Sequence, residues 1–230
     1  DGVTNLINGQ GTLAPGWFDF GSATVRVMNT QPGAHAPTAT EQNLSNTANT
    51  NIFWDFGPLG SFDLTKTSPA GNPAAGDIAT IEISAKDIYG NLITTYNNTN
   101  PIALSVETGT SATTEWSDAS LGVTVTGPGT ATLEPGRFTG GKASVKIRNT
   151  TSETQTIRCD EFDAPAPDVF GTGQIDWDPG PLDYFVLTPS ATSVLVGQNI
   201  DFSITAYDGF GNVKTDFSNP NGLLLTQTGG

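Results

Sequence analysis

The chain has 230 residues, and its 9 Lys and Arg stand against 23 Asp and Glu, for a formal net charge of −14. Such a charge repels nucleic-acid phosphates and anionic lipid, and no apolar run is long enough to span a bilayer, so neither nucleic acid nor direct membrane insertion is expected. The 27 Gly and 15 Pro supply turns, and the abundant Thr suits half-buried strands, so the composition predicts many short strands rather than helices.

An internal repeat organises the chain, because four segments recur about 120 residues later. The matching pairs, in chain order, are 11–30 with 131–150, 51–59 with 174–182, 57–66 with 180–189, and 82–96 with 203–217. The sequence therefore predicts the C-terminal half of one repeat (1–56), a complete repeat (57–179) and the N-terminal half of the next (180–230).

Alternating apolar residues predict the strands. In residues 78–85 the apolar side chains fall on one face, as the period of two in a strand requires. The same alternation occurs at 121–126, 143–147, 154–159 and 200–206. Turn signals separate these segments, and their spacing is typical of an antiparallel β-sandwich. A period of about 120 residues exceeds the roughly 100 that one sandwich needs, so long loops are expected at 31–50, 106–120 and 160–172.

The segments PGPLDYFVLTP (179–189) and GQNIDFSITAYDGFGNVKTDF (197–217) resemble bacterial Ig-like repeats that occur in tandem in surface proteins. These include invasin- and intimin-like proteins, S-layer proteins and giant adhesins. The shared marks are the strand after Pro-Gly-Pro-Leu, the aromatic-Gly-Asn turn and the F-x-x-G-x-A-x-V pattern from Phe138 to Val145. The resemblance implies an all-β fold of tandem Ig-like antiparallel β-sandwiches at a cell surface. The partners it implies are copies of the chain or neighbouring repeats.

Four acidic residues are candidate ligands for Ca²⁺, which prefers six to eight oxygen ligands. Asp87 and Asp208 precede equivalent turns, and Asp176 and Asp178 lie at a repeat junction, where calcium would stiffen the array. The alternative is that Asp87 and Asp208 only build turns, since Asp side chains accept hydrogen bonds from nearby backbone N–H groups. Because Phe53 replaces Asp176 in the preceding repeat, we do not expect one metal site common to every junction.

Trp17 and Trp116 are candidate stacking residues for a surface glycan, because neither tryptophan is repeated. Trp17 aligns with Arg137, and Trp116 lies in the predicted loop 106–120. A carbohydrate-binding module needs such an exposed aromatic platform. The competing interpretation is that both indoles pack on the edge of the sandwich, because tryptophan is usually largely buried.

Three asparagines match the N-glycosylation pattern Asn-x-Ser/Thr: Asn43, Asn97 and Asn149. The pattern also arises by chance in a chain rich in Asn and Thr. It therefore marks candidate modification sites only.

The sequence offers few residues that could support catalysis. His35 is the single histidine and has no counterpart in the next repeat, and no hydrolase, metalloprotease or phosphate-binding motif occurs. The single cysteine, Cys159, ends an alternating strand, as a buried apolar thiol would.

We therefore expect a non-enzymatic structural segment of an extracellular filament, S-layer or adhesin stalk that needs no cofactor. The alternative is an adhesive or carbohydrate-binding module. Each terminal part holds half a sandwich, and the two halves could join between neighbouring copies, head to tail. The alternative is that the chain is a window cut from a longer tandem array.

Overall fold

The structure is a computed structural model that describes residues 11–13, 15–40, 47–117, 122–161, 168–219 and 221–226. It contains two compact units, Asp1–Gly57 and Pro58–Gly230. Within the described ranges the regular structure consists of strands and one 3-10 turn, Ser111–Thr113. The predicted all-β fold is confirmed. No helix among the described residues is long and apolar enough to cross a bilayer.

The first unit contains two short antiparallel ribbons. Its strands are β1 (Gly33–His35), β2 (Thr38–Thr40), β3 (Thr47–Asn49) and β4 (Ile52–Trp54). β1 pairs with β4, and β2 pairs with β3. Three of these strands lie within 31–50, so the expectation of one long loop there was wrong. β2 and β3 are rich in Thr, a β-branched residue that fits a pleated ribbon.

The second unit begins with a two-sheet sandwich. Its strands are β5 (Leu59–Ser68), β6 (Ile78–Asp87), β7 (Ile102–Thr108), β8 (Thr114–Ser117), β9 (Val123–Gly127), β10 (Thr130–Leu133), β11 (Lys142–Asn149), β12 (Thr154–Glu161) and β13 (Phe170–Asp176). One sheet has the order β5-β6-β11-β8 and the other the order β13-β12-β7-β10-β9. The pairings are antiparallel, and the chain crosses between the sheets as it does in an Ig-like sandwich.

One apolar core lies between the two sheets. Each strand contributes alternate residues, so that β6 and β11 turn one face inward against the facing sheet. The largest fully buried side chains include Ile81, Ile83, Leu104, Val145, Ile147, Ile157 and Ile175. Complete burial of one such side chain contributes about 1.5–3 kcal/mol, so this core supplies the main stabilisation of the unit.

The edges of the two sheets approach closely at β5 and β13. A Cβ on Gly171 would clash with the carbonyl oxygen of Phe62, and a Cβ on Gly173 would lie 2.7 Å from the Cβ of Leu64. Only glycine therefore allows β13 to lie against β5 at this separation.

The predicted loop 106–120 contains a strand. β8 places Thr114 and Trp116 in the interior and leaves Glu115 exposed. Because two of its four residues are Thr and Ser, the short alternation reads as a polar loop. The expected loop at 160–172 is shorter than predicted, since β12 ends at Glu161 and β13 begins at Phe170.

The second unit ends in the hairpin of β14 (Leu182–Pro189) and β15 (Phe202–Asp208). By the sequence repeat, β14 and β15 correspond to β5 and β6. The rings of Tyr184 and Tyr207 stack across the pair at a centroid distance of 5.3 Å.

Candidate functional site

The candidate site is the turn that follows β15, residues 208–212, here called the docking turn. The Oδ1 of Asp208 accepts hydrogen bonds from the backbone N–H groups of Phe210 at 2.9 Å and Asn212 at 2.8 Å. Gly211 has a φ of +86°, a conformation that glycine adopts without steric cost. The aspartate thus folds the turn over its own side chain.

The second oxygen of the same carboxylate binds the turn to residues 177–181, which connect β13 to β14 and are here called the linker. The Oδ2 of Asp208 accepts the N–H of Gly180 at 2.7 Å and the side-chain amide of Asn212 at 2.8 Å. Burial alone would raise the pKa of Asp208, but the hydrogen bonds from Asn212, Gly180 and Phe210 outweigh it and hold the pKa below its ordinary value. The carboxylate is therefore charged at neutral pH although it is fully buried.

The side chain of Asn212 binds the docking turn to the complete repeat through hydrogen bonds. Its Oδ1 accepts the backbone N–H of Ser152 at 3.0 Å, and its Nδ2 donates to the carbonyl of Thr150 at 2.9 Å. Thr150 and Ser152 lie in the connection between β11 and β12. One side chain therefore satisfies a donor and an acceptor of the preceding repeat.

The aromatic residue of the turn packs beside these hydrogen bonds. A Cβ on Gly76 would lie 2.5 Å from the ring of Phe210, so the ring occupies the space that glycine leaves. The guanidinium of Arg148 lies 5.9 Å from the ring centroid, and its Nε donates to the carbonyl of Gly76 at 2.8 Å. Lys214 adds a hydrogen bond from its Nζ to the carbonyl of Pro179 at 3.1 Å.

The same turn occurs once more in the sequence, at 87–91. The Oδ1 of Asp87 accepts the N–H groups of Tyr89 at 2.9 Å and Asn91 at 2.8 Å, and its Oδ2 accepts the side-chain amide of Asn91 at 3.0 Å. The recurring residues therefore produce the recurring geometry.

This geometry bears on the calcium hypothesis for Asp87 and Asp208. A carboxylate offers about four lone-pair directions, and all four of Asp208 are directed at N–H donors. A cation would have to displace these donors. The carboxylate of Asp208 therefore fits the turn-forming role and does not fit a metal ligand. Asp87 accepts the corresponding hydrogen bonds within its own turn, from Tyr89 and Asn91.

Asp176 and Asp178 have fewer hydrogen bonds. The Oδ1 of Asp176 accepts the hydroxyl of Thr154 at 2.7 Å and the amide of Gln174 at 3.2 Å, and these bonds, chiefly that from Thr154, lower its pKa. The Oδ1 of Asp178 accepts the amide of Asn72 at 3.2 Å. Within the described ranges no group of three or more His, Cys, Asp or Glu could hold a metal ion. Calcium at this pair stays a prediction.

Trp116 is not the exposed aromatic platform that the glycan hypothesis requires, which corrects that expectation. It is 2% exposed, lies in β8, and donates its Nε1–H to the carbonyl of Gly129 at 3.0 Å. Trp17, in the first unit, is 47% exposed. Glycan binding at Trp17 stays a prediction.

The asparagine side chains that are candidates for glycosylation differ in their exposure to solvent. Asn149 is fully buried, and its side chain bonds to Thr113, Thr151 and Glu153, so the folded chain does not present it for modification. Asn97 is exposed and stays a candidate. Asn43 lies outside the described residues.

His35 lines a shallow depression of about 300 Å³ in the first unit, together with Val27, Pro37, Trp54 and neighbouring side chains. The described residues that line it carry no carboxylate, hydroxyl or thiol. In the second unit, Cys159 is fully buried, and burial raises the pKa of its thiol.

The contacts of Phe210 and Asn212 with the complete repeat were not predicted. The sequence does carry a signal for them, because the same aromatic-Gly-Asn turn occurs at 89–91 and 210–212. The turn itself required only Asp and Gly. The recurrence of the aromatic ring and the asparagine pointed to a further role.

No protein-family model matches the chain, and no curated protein matches its sequence. Similar solved structures include FdeC, an Escherichia coli adhesin, with 16% identity over 79% of this chain and 52% of FdeC, at a TM-score of 0.36. Invasin, a bacterial integrin-binding protein, has 17% identity over 83% of this chain and 35% of its own, at a TM-score of 0.40.

Domains 1–6 of the surface layer protein SbsC have 17% identity over 79% of this chain and 20% of their own, at a TM-score of 0.32. A β-glucuronidase of glycoside hydrolase family 2 is also similar, over 15% of its length. The chain spans about half the length of FdeC and less of the others. An adhesin, an invasin and a surface layer protein are thus among the similar structures, at low identity.

Proposed function

We propose that this chain is a non-catalytic structural segment of an extracellular surface assembly, of the kind found in filaments, S-layers and adhesin stalks. The observation that carries the proposal is the docking turn. It joins successive repeats through Asn212, Phe210 and the linker residue Gly180.

A spacer must hold its repeats at a fixed spacing and angle, and the contacts of the turn do this. Asp208 fixes the linker by accepting the N–H of Gly180, and Pro181 follows immediately, which restricts the backbone further. Asn212 then fixes the orientation of the hairpin on the connection between β11 and β12. The contact consists of backbone groups and packing, so it suits a static joint.

Immunogold electron microscopy of intact cells that produce the chain tests this function. Antibody raised against the purified chain should label the cell surface, and negative stain of detached material should show regular fibres, sheets or stalks that carry the label. Label confined to the cell interior, or only dispersed particles in the medium, would overturn the structural role.

The same preparation tests calcium at Asp176 and Asp178. If these exposed carboxylates hold a junction ion, a chelator should disperse or bend the labelled assemblies, and Asp176→Asn should remove the effect of the chelator. Assemblies unchanged by the chelator would argue against the ion and leave the surface role intact.

A second candidate function is glycan binding, favoured by the exposed indole of Trp17. The chain should then bind members of a glycan panel, and Trp17→Ala should abolish that binding. Tyr89→Ala removes an exposed aromatic side chain from the second unit and is the matched control. A panel without bound glycans, or equal binding by both variants, would remove this candidate.

The finer part of the proposal concerns assembly. Copies of the chain join head to tail, so that the terminal half-repeat of one copy is completed by the other terminal half-repeat of its neighbour. The purified chain should therefore form a concentration-dependent series of oligomers.

A further inference from the structure

The hairpin β14–β15 exposes the apolar residues that its counterpart buries. In the complete repeat, Ile81 and Ile83 of β6 are no more than 1% exposed. The repeat alignment places Phe202 and Ile204 of β15 at these positions, and they are 53% and 38% exposed. An uncovered apolar strand of this kind indicates a surface that another segment covers.

The complete repeat shows which segment covers this position. β11 pairs with the second edge of β6, with Ala143 opposite Ile83 and Val145 opposite Ile81. Within the described residues, β14 is the only strand that pairs with β15, and the second edge of β15 meets only an isolated bridge from Tyr207 to Val213 near its end. The edge from Phe202 to Thr205 has no strand beside it among those residues. A segment equivalent to β11 is therefore the natural occupant.

The first unit contains that equivalent. Ala143, Val145 and Ile147 of β11 align with Ala23, Val25 and Val27 in the repeat, and the intervening residues are polar in both. Residues 23–29 form no strand, and Val25 and Val27 are 53% and 45% exposed. Among the described residues, one unit thus has an uncovered strand edge, and the other has a strand-like sequence that lies in no strand.

We propose that residues 22–28 of a second copy of this chain add to the second edge of β15 as an antiparallel strand. In this pairing the two strands adopt the register that β11 has on β6. Ala23 then lies opposite Ile204, Val25 opposite Phe202 and Val27 opposite Ile200. This strand addition rests on the proposed head-to-tail assembly and gives that assembly its contact.

Charge supports this register. In the transferred alignment Arg26 lies opposite Asp201, in the place of the cross-strand neighbours Lys146 and Thr80. Both residues are exposed. Opposite charges directly across an antiparallel pair stabilise it, and like charges destabilise it. A register shifted by one residue would remove this pairing and turn the valines to the solvent face.

The contact is heterologous, because the strand and the edge that receives it are different parts of each copy. After one copy has docked, its own hairpin is still uncovered and binds the next copy. Such contacts generate open chains rather than closed dimers unless the rotation returns to the start.

Charge exchange tests the pairing in the full chain, with light scattering as the measurement of mass. Arg26→Asp and Asp201→Arg should each weaken self-association about fivefold or more, because each places like charges opposite one another. The double variant should restore association to near the level of the unchanged chain. A chain that stays monomeric at high concentration, or a double variant no better than either single one, would overturn the proposal.

Cysteine cross-linking tests the register between two different chains. Thr24 aligns opposite Ser203, so a mixture of Thr24→Cys and Ser203→Cys chains should form a covalent dimer under mild oxidation. Mixing Thr24→Cys with Asn199→Cys is the matched control, since Asn199 lies four residues before Ser203 in the chain. Cross-linking in the control to the same extent would contradict this register.

These solution measurements are separate from the labelling of cells. Monomeric chains together with a regular labelled surface would overturn strand addition and leave the structural function standing. Self-association together with label inside the cell would do the reverse.

Discussion

The Oδ1 of Asn212 accepts a hydrogen bond from the backbone N–H of Ser152 at 3.0 Å, which joins the hairpin β14–β15 to the two-sheet sandwich through one side chain. The same side chain donates to the carbonyl of Thr150 and to the carboxylate of Asp208. Asn212 therefore couples the conformation of its own turn to the position of the preceding repeat.

Asn212→Ala should loosen the hairpin without affecting the sandwich. The change removes two hydrogen bonds between repeats, a loss of about 2 kcal/mol, or roughly thirtyfold in the opening equilibrium. Hydrogen exchange measured by mass spectrometry should be faster in β14 and β15 and unchanged in β6 and β11. Asn219→Ala, at an exposed asparagine, is the control and should exchange like the original chain. Uniform acceleration across both regions would contradict a local role.

Asp208 should make the hairpin sensitive to acid. Its folded-state pKa lies below the unfolded value of about 3.9, so its stabilisation is complete above that value and is lost as the pH falls through the folded pKa. Urea denaturation followed by circular dichroism should show Asp208→Asn less stable than the original chain at pH 7, with the difference shrinking at pH 3. Asp183→Asn, at an exposed aspartate, should show no such difference. A difference that is constant with pH would exclude this carboxylate as the cause.

Gly171→Ala should destabilise the sandwich, because the added methyl group meets the carbonyl oxygen of Phe62. Overpacking of this kind costs about 1–3 kcal/mol. For a chain of this length each kcal/mol lowers the melting temperature by roughly 2–4 °C. Gly71→Ala is the control, since a Cβ there has no atom within 4 Å. Equal melting temperatures for the two variants would show that β5 and β13 can separate freely.

Trp116 and Trp17 should respond oppositely to truncation. Trp116→Ala removes a core side chain and should cost about 3–5 kcal/mol, whereas Trp17→Ala removes an exposed one and should change stability by about 0.5 kcal/mol or less. Thermal unfolding followed by circular dichroism measures both. Equal losses would place Trp17 in a packed core.

The strands were predictable wherever alternation was long. Residues 78–85 repeat an apolar residue four times at a spacing of two, and β6 spans Ile78–Asp87. β8 was missed because it has four residues and only Trp116 among them is apolar, so no period can be recognised. Asn149 shows a related limit, since a three-residue glycosylation pattern says nothing about burial by distant strands.

For the docking turn, the sequence predicts the turn itself and not its contacts with distant residues. Asp and Gly at 208 and 211 indicate a hairpin turn because their hydrogen bonds and φ angles involve residues within four positions. The contacts of Asn212 with Thr150 and Ser152 join residues about 60 positions apart, and their formation depends on the complete fold. The chemistry of neighbouring residues therefore does not predict which distant residues contact one another.

The packing of Phe210 on Gly76 has a consequence for which substitutions the two positions tolerate. A Cβ at position 76 would lie 2.5 Å from the ring of Phe210, so a larger residue there would collide with the ring. A side chain at position 76 therefore requires a smaller residue at position 210, and the two positions should change together over evolutionary time.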